Sequence, residues 1–191
     1  MDLDRLRMEA QPAGVEGLRQ AAVLIPVITP ETEPRLMFTK RADWLSRHPG
    51  QMSFPGGARE PHDNGPTATA CREAHEEVGL TAAEAEPVGR LPEIVTVSDF
   101  AVTPIVARVP DRTYDPDGKE IVEIAIISVE TLKQPNNYER EWHETAEGQW
   151  KSIDYFYVDG YTIWGATGAL VTTLLSLTTD WQQPEPPVSQ R

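Results

Sequence analysis

Apolar residues along the chain fall into short runs separated by proline- and glycine-rich segments, and the period of each run predicts its element. "LRQAAVLIPVI" (18–28) is nearly continuous in apolar residues and predicts a buried strand. "RLMFTKR" (35–41) predicts a second strand, joined to the first through the turn between Pro30 and Pro34. Prolines and glycines recur from Ala42 to Pro66, so that stretch is expected to be mostly loop. From Thr67 to Val78 the period changes to that of a helix. Ala70, Cys71, Ala74 and Val78 share one side, and Gly79 stands where a helix C-cap belongs. "EPVGRLPEIVTVSDFAVTPIVARVP" predicts two strands around a turn near Ser98–Asp99, and "EIVEIAIISV" (120–129) another strand. "GQWKSIDYFYVDGYTIWG" reads as a hairpin turning at Asp159–Gly160. "ATGALVTTLLSLTTDW" reads as a closing helix, and "QQPEPPVSQR" as a disordered end. Strands with one early and one late helix make a mixed α/β domain. No internal repeat interrupts the pattern.

Composition sharpens this reading in three places. A chain of 191 residues, 39% of them hydrophobic, can bury one ordinary core. No stretch reaches the roughly 20 apolar residues of a membrane span, and the charged start "MDLDRLRMEAQPAGVEG" lacks a secretory apolar run, so no membrane partner and a cytoplasmic location are expected. Cys71 is the one cysteine, which excludes an intrachain disulfide and a cysteine-built zinc cluster.

Charge adds a constraint. There are 30 acidic residues against 17 basic ones, a formal net charge of −13, which argues against a nucleic-acid-binding surface. It also sets a long-range field that repels any phosphate-bearing substrate. Lysine is scarce (Lys40, Lys119, Lys133 and Lys151), and such an acidic, lysine-poor surface fits a halophilic, salt-rich setting in which self-repulsion is screened.

The acidic crowding is most pointed on the predicted helix. Glu73 lies three residues before Glu76 and four before Glu77, so their carboxylates share a side of the rod, and Arg72 at i+4 from Glu76 relieves part of the repulsion. Oxygen donors in that arrangement suit a hard divalent cation. The spacing alone fits a solvated acidic face equally well. Just upstream, "FPGG" offers Gly56 and Gly57, which can adopt conformations closed to other residues and bring backbone close to a metal or phosphate.

"GGAREPHDNGPTATACREAHEEVGL" resembles the Nudix box. "REAHEEVGL" matches at each fixed position, whereas Gly57 to Arg72 is one residue longer than the common spacing and the intervening acid falls on Asp63. Upstream, "LMFTKRADWLSRHPGQMSFPGG" resembles the added signature of the coenzyme A pyrophosphatase branch, with Thr39, Arg41, Leu45, His48, Gly50, Gln51 and Phe54 to Gly57 in place. Ser46 stands where that branch often has arginine, with Arg47 one place later.

The resemblance spans residues 20–178 and implies a Nudix-type α/β/α sandwich with a mixed β-sheet. Its expected extent is residues 18–180, after an N-terminal extension (1–17) and before a disordered tail (181–191). It further implies hydrolysis of a nucleoside diphosphate linked to another group, with Mg²⁺ or Mn²⁺ as cofactor. Glu76 and Glu77 become the principal metal ligands, Glu73 a ligand or water activator, and the Gly56 carbonyl a backbone ligand. Arg72 orients Glu73 or Glu76. Glu120, with Glu123 as second choice, would add a later acid, and strand-edge glutamates with no such role fit equally well. Arg41, Arg47 and Gly57 would meet the nucleotide, His48 would brace its loop, and His75 would face solvent. Trp164 reads as core or dimer packing, so a homodimer is one expected assembly. Two alternatives stay open: another nucleotide substrate (ADP-ribose, a dinucleoside polyphosphate or a nucleoside triphosphate), and a Nudix-fold module that binds without catalysis.

Overall fold

The computed structural model of the chain describes residues 1–7, 17–96, 99–144, 148 and 150–184. Ser98 of the turn expected at Ser98–Asp99, most of the expected N-terminal extension and the end of the expected tail lie outside the described residues, while Asp99 takes positive φ (60°).

Strand β1 (Arg19–Ile28) organises the molecule. Its long apolar run follows from burial on both faces, the pattern of a central strand. Val23, Ile25 and Val27 enter one core, and Ala22, Leu24 and Ile28 enter the other. β2 (Arg35–Arg41) pairs with the end of β1, Val27 opposite Leu36. β3 (Met52–Ser53) extends β2, and β4 (Gly56–Ala58) pairs with the beginning of β1. Then come helix α1 (Pro66–Val78) and strands β5 (Glu86–Arg90), β6 (Ile94–Val95) and β7 (Phe100–Val109). β7 runs parallel to β1 over its full length, while the other pairings are antiparallel, so the sheet is mixed. β8 (Ile121–Ser128) closes the far side against β2.

A second sheet is built from β9 (Tyr138–Glu144), β10 (Trp150–Val158) and β11 (Tyr161–Ile163), and α3 (Gly165–Thr178) follows the short helix α2 (Val129–Leu132) and these strands. Helix α1 packs on one face of the large sheet, and α3 with the small sheet covers the other. The expected α/β/α sandwich with a mixed sheet is what the chain forms.

Several local expectations hold for the stated reasons. Asp159 and Gly160 both take positive φ, 52° and 83°, as a two-residue hairpin between right-twisted strands requires. α1 ends at Gly79 in the left-handed region (φ 66°), whose N–H donates to the His75 carbonyl at 3.1 Å. The stretch 42–66 is mostly loop as expected, with the short strands β3 and β4 within it. One expectation is corrected. Neither Gly56 nor Gly57 has positive φ; what each requires is room. A Cβ on Gly56 would sit 2.5 Å from the Ala22 carbonyl oxygen, and one on Gly57 would sit 2.5 Å from Glu73 Oε1.

The arrangement of strands along β1 opens the space that matters. β4 occupies its edge at Ala21–Val23 and β2 takes over at Val27–Ile28. The Leu24 N–H donates to the Pro55 carbonyl, so alternation points the nitrogen of Pro26 into the gap between these two partners. A proline there forfeits no ladder bond. β4 and β2 therefore diverge from a common strand.

The ends of the described chain are also tied down. Leu3 and Leu6 are buried in the core shared with α3, and Asp2 N–H donates to Thr178 O at 2.6 Å. Trp181 packs edge-on against Tyr138.

Gly168, on the first turn of α3, lets that helix touch β10: a Cβ there would run into the Asp154 carbonyl oxygen. Gly168→Ala is expected to destabilise the fold by about 1–3 kcal/mol, the usual cost of overpacking. The reading is a lower urea midpoint at unchanged m-value.

Candidate active site

Small residues decide how α1 meets the sheet. Ala70 and Ala74 are fully buried against it, so the helix lies close and its neighbouring side chains reach β4. Glu73 and Glu77, one turn apart, point at the two glycines of that strand. Glu73 lies against Gly57, and Glu77 Oε2 accepts a hydrogen bond from the Gly56 N–H at 3.3 Å. The observed Gly56 contact thus uses its amide, on a carboxylate.

Arg72 fixes the outer side of this pair. Its Nε and Nη2 donate to the two oxygens of Asp63, each at 3.1 Å, a bidentate pair. Nη2 also reaches the Ala58 carbonyl at 3.0 Å, and Nη1 bridges Glu73 Oε1 at 2.9 Å and Glu76 Oε2 at 3.1 Å. Asp63 accepts two further bonds, from the Glu60 N–H (2.8 Å) and the Thr69 hydroxyl (3.0 Å). The bonds from Arg72 are the largest reason that its carboxyl stays far below the usual carboxylate range. Asp63 therefore anchors Arg72, and Arg72 orients both Glu73 and Glu76.

Burial dominates at the inner pair. Desolvation raises the pKa of Glu73 above its ordinary value, with Arg72 pulling the other way. Glu77 is pushed up to about 8, first by burial and then by the charge on Glu73, against the opposing pull of the Gly56 N–H and Arg41.

Arg41 and Glu120 face this pair from across the gap, where Arg41 Nη2 lies 3.5 Å from Glu120 Oε2. The Arg41 Nε is buried without a hydrogen-bond partner. Glu123 sits elsewhere, bonded to Lys40 at 3.3 Å and to the Tyr161 hydroxyl. Arg47 is exposed in the loop after β2 and makes no hydrogen bond or ion pair among the described residues. His48 takes positive φ (53°) and its carbonyl accepts from the Gln51 N–H, while His75 is exposed on α1. Trp164 stacks on Tyr155 at 6.0 Å on the outer side of the small sheet.

Asp117 is a site residue that motif reading passes over. Its carboxylate accepts from the Glu120 and Ile121 N–H groups, and its own N–H donates to the Glu77 carbonyl at 3.0 Å. The Asp-Pro-Asp-Gly run that precedes Glu120 is the available signal, since aspartate in such a turn caps the amides that follow it.

The oxygen donors of Glu73, Glu76 and Glu77, held within one turn of helix, match the chemistry of a hard divalent ion. Two of them are desolvated next to each other, an arrangement that a cation stabilises. Among the described residues, however, no three acidic, histidine or cysteine side chains converge on a single point as a metal site would have them. Glu76 is drawn outward onto Arg72 instead.

A family model for the NUDIX domain matches residues 18–156. The chain is 37% identical over 162 residues to a protein of Enterobacter sp. (strain 638) named Uncharacterized Nudix hydrolase NudL, covering 82% of this chain and 81% of that one. A protein of the same name from Yersinia enterocolitica is 36% identical over 156 residues, covering 81% and 78%. Among solved structures, a Nudix hydrolase from M. smegmatis, RenU, superposes with a TM-score of 0.51 at 22% identity, covering 64% of this chain and 80% of that one. A MutT/nudix family protein from Enterococcus faecalis gives 0.55 at 10% identity, covering 87% and 64%. The NUDIX domain of Shewanella oneidensis NrtR, solved with ADP ribose, gives 0.50 at 11%, covering 66% and 84%. At these identities the three structures speak for the fold. No helix among the described residues is long and apolar enough to cross a membrane.

The raised Glu77 carboxyl makes stability depend on pH in a defined direction. The folded state holds a proton, up to about pH 8, that an unfolded glutamate releases near its ordinary value of 4.5. The contribution of Glu77 to stability is therefore complete below 4.5 and is lost as pH rises through about 8. In protein stripped with EDTA, the loss of melting temperature between pH 5 and pH 8 is expected to be smaller in Glu77→Gln. A cation held by Glu77 would have to expel the same proton, and in that case calorimetric Mn²⁺ affinity is expected to rise by up to about tenfold per pH unit below pH 8 and to level off above it.

Proposed function

The chain belongs to the Nudix hydrolase family, whose members cleave pyrophosphate bonds with divalent metal ions, and from that premise we propose that it hydrolyses the pyrophosphate of coenzyme A or a derivative into 3′,5′-ADP and 4′-phosphopantetheine. The observation that carries the hydrolytic part is the pair of buried Glu77 and half-buried Glu73 held against Gly56 and Gly57, with Arg41 and Glu120 across the gap. The choice of coenzyme A rests on the segment from Thr39 to Gly57, which resembles the signature of that branch.

In this reading Glu76 and Glu77 are the main ligands of Mg²⁺ or Mn²⁺, with Glu73 as a third ligand or as the group that takes a proton from the attacking water. The bound cations would screen the carboxylates from the phosphates and make water a better nucleophile at neutral pH. Burial prepares Glu73 for the proton, because it raises the affinity of the carboxylate for one. Arg72, anchored on Asp63, limits the rotation of Glu73, and Asp117 holds the backbone on which Glu120 stands. Arg41 brings a partly exposed guanidinium to a place where phosphate oxygens could meet its Nη groups. Arg47, on the same loop side, would reach substrate only with its exposed chain end. The water oxygen bonds to phosphorus as the bridging P–O bond breaks, and the departing phosphate keeps the bridging electrons.

The acid pair also bears on the non-catalytic alternative. A module that merely binds nucleotide gains nothing from two carboxylates kept out of water beside each other, and both are present here. ADP-ribose, which the NrtR domain binds, is the main substrate alternative.

Purified protein incubated with Mn²⁺ and coenzyme A, ADP-ribose, a dinucleoside tetraphosphate or a nucleoside triphosphate separates these readings when products are resolved by chromatography. Coenzyme A is expected to yield the two products named above; its survival while ADP-ribose is consumed overturns the assignment. Glu77→Gln is expected to lower kcat by more than about a hundredfold, beyond what loss of an outer metal-site partner costs, with an unchanged circular dichroism spectrum. Unaltered turnover in that variant removes Glu77 from the chemistry.

A further inference from the structure

A cleft of about 420 Å³ opens at the other end of β4 from Gly56. Its walls are the first residues of β1, the first residue of β7, and the segment 58–61 that leaves β4. Three side chains give it its character. Arg19 and Phe100 are register partners on adjacent strands, and the Arg19 guanidinium lies 4.0 Å above the Phe100 ring. Arg59 stands opposite; its Nη1 donates to Gln20 Oε1 at 3.0 Å and its Nη2 to the Asp63 carbonyl at 3.4 Å.

Both acceptors of Arg59 are neutral. In a chain of net charge −13, a guanidinium that bonds no carboxylate among the described residues keeps its full charge for an incoming anion. Glu60 is the acid of the cleft, and it already faces Arg72 at 3.9 Å and His62 at 3.5 Å. The cleft is mechanically tied to the glutamate pair, since the Ala58 carbonyl in its wall accepts from the same Arg72 that holds Glu73. Gly57 and Glu60 are three residue steps apart, about 10 Å at strand spacing. A pyrophosphate and the far side of its attached nucleoside lie about that far apart.

We propose that this cleft is the subsite for the phosphorylated nucleoside half of the substrate, with the base against the Arg19–Phe100 stack and a phosphate monoester held between Arg59 and Arg19. An aromatic ring capped by a guanidinium offers a flat surface to any base, and two guanidiniums give a phosphate monoester charge-assisted bonds. The subsite rests on the reading of the chain as a coenzyme A hydrolase, whose nucleotide half carries a 3′-phosphate. It assigns phosphate recognition to Arg19 and Arg59 in addition to Arg41 and Arg47.

Binding of adenosine 3′,5′-bisphosphate and of adenosine 5′-monophosphate to the full chain, titrated calorimetrically in Mg²⁺, tests it without requiring turnover. The bisphosphate is expected to bind about tenfold more tightly, a preference that Arg59→Gln erases and Arg59→Lys keeps in part. Phe100→Leu is expected to weaken both ligands alike. Arg59 is exposed, so its variants are expected to fold; Arg19→Gln supplies the second reading. Arg59→Gln and Arg19→Gln that both leave the ratio of the two affinities unchanged overturn the subsite. A chain that shows the ratio yet leaves coenzyme A intact keeps the subsite and loses the proposed reaction. One that cleaves coenzyme A with the ratio indifferent to both arginines loses the subsite alone.

Discussion

The ion pair between Arg72 and Asp63 is the constraint on which the rest of the site depends. Side chains that are 16% and 3% exposed carry opposite charges there, and desolvation of such a pair costs several kcal/mol per ion before any attraction is counted. What offsets that cost is saturation: the two oxygens of Asp63 accept four hydrogen bonds, and the guanidinium also serves Ala58, Glu73 and Glu76. One side chain thereby fixes the loop after β4, the strand itself and two glutamates of α1 relative to one another. A hydrophobic contact could fill the same volume but could not orient carboxylates. The buried pair is better understood as a device for geometry than as a source of stability.

Where the sequence was legible, it was legible through periodicity and steric demand. The 3.6-residue period placed Glu73 and Glu77 on one side and paired Arg72 with Glu76, and both relations hold in the folded chain. The hairpin at Asp159–Gly160 and the stop at Gly79 follow from φ angles that few residues accept. Other parts depend on contacts that no local pattern records. β4 is three residues long and exists because β1 offers it an edge, so "GGA" carries no strand signal. β9, "YEREWHE", is charged on the face it turns outward and resembles a surface loop until β10 pairs with it. The partition of the glutamates was hidden for a similar reason. Spacing alone treats Glu76 and Glu77 as equals, but only Glu77 is aimed at Gly56, while Glu76, 55% exposed, bends back to Arg72.

The acidic composition acquires a different meaning once the arginines are located. Arg41, Arg59, Arg72 and Arg19 all surround β4 or its neighbouring strands, and they differ in how far their charge is spent. Arg72 is consumed by four carboxylates, Arg41 meets one at 3.5 Å, and Arg59 meets none among the described residues. Within a repulsive field, that gradient makes the two ends of β4 the places where a phosphate meets least resistance.

The divergence of β4 and β2 from β1 explains why those ends are accessible at all. Had one strand paired with β1 from Ala21 to Ile28, its ladder would have filled the edge and left no room between Gly56 and Arg41. Because β4 stops at Gly56 and β2 begins its pairing at Val27, the backbone of β1 around Pro26 is left without a partner on that side. Proline tolerates this where other residues would strand an amide, so an apparently unsuitable residue in a central strand marks the crevice. The carboxylate pair stands on one bank and the Arg41–Glu120 pair on the other, each held by an aspartate: Asp63 through Arg72, and Asp117 through the amide of Glu120. Asp117 also bonds the backbone of Glu77, so a shift of either bank is felt by the other. Segment 117–120 thus ties the backbone of Glu77 to that of Glu120, which is why the loop before β8 belongs to the site as fully as the helix does.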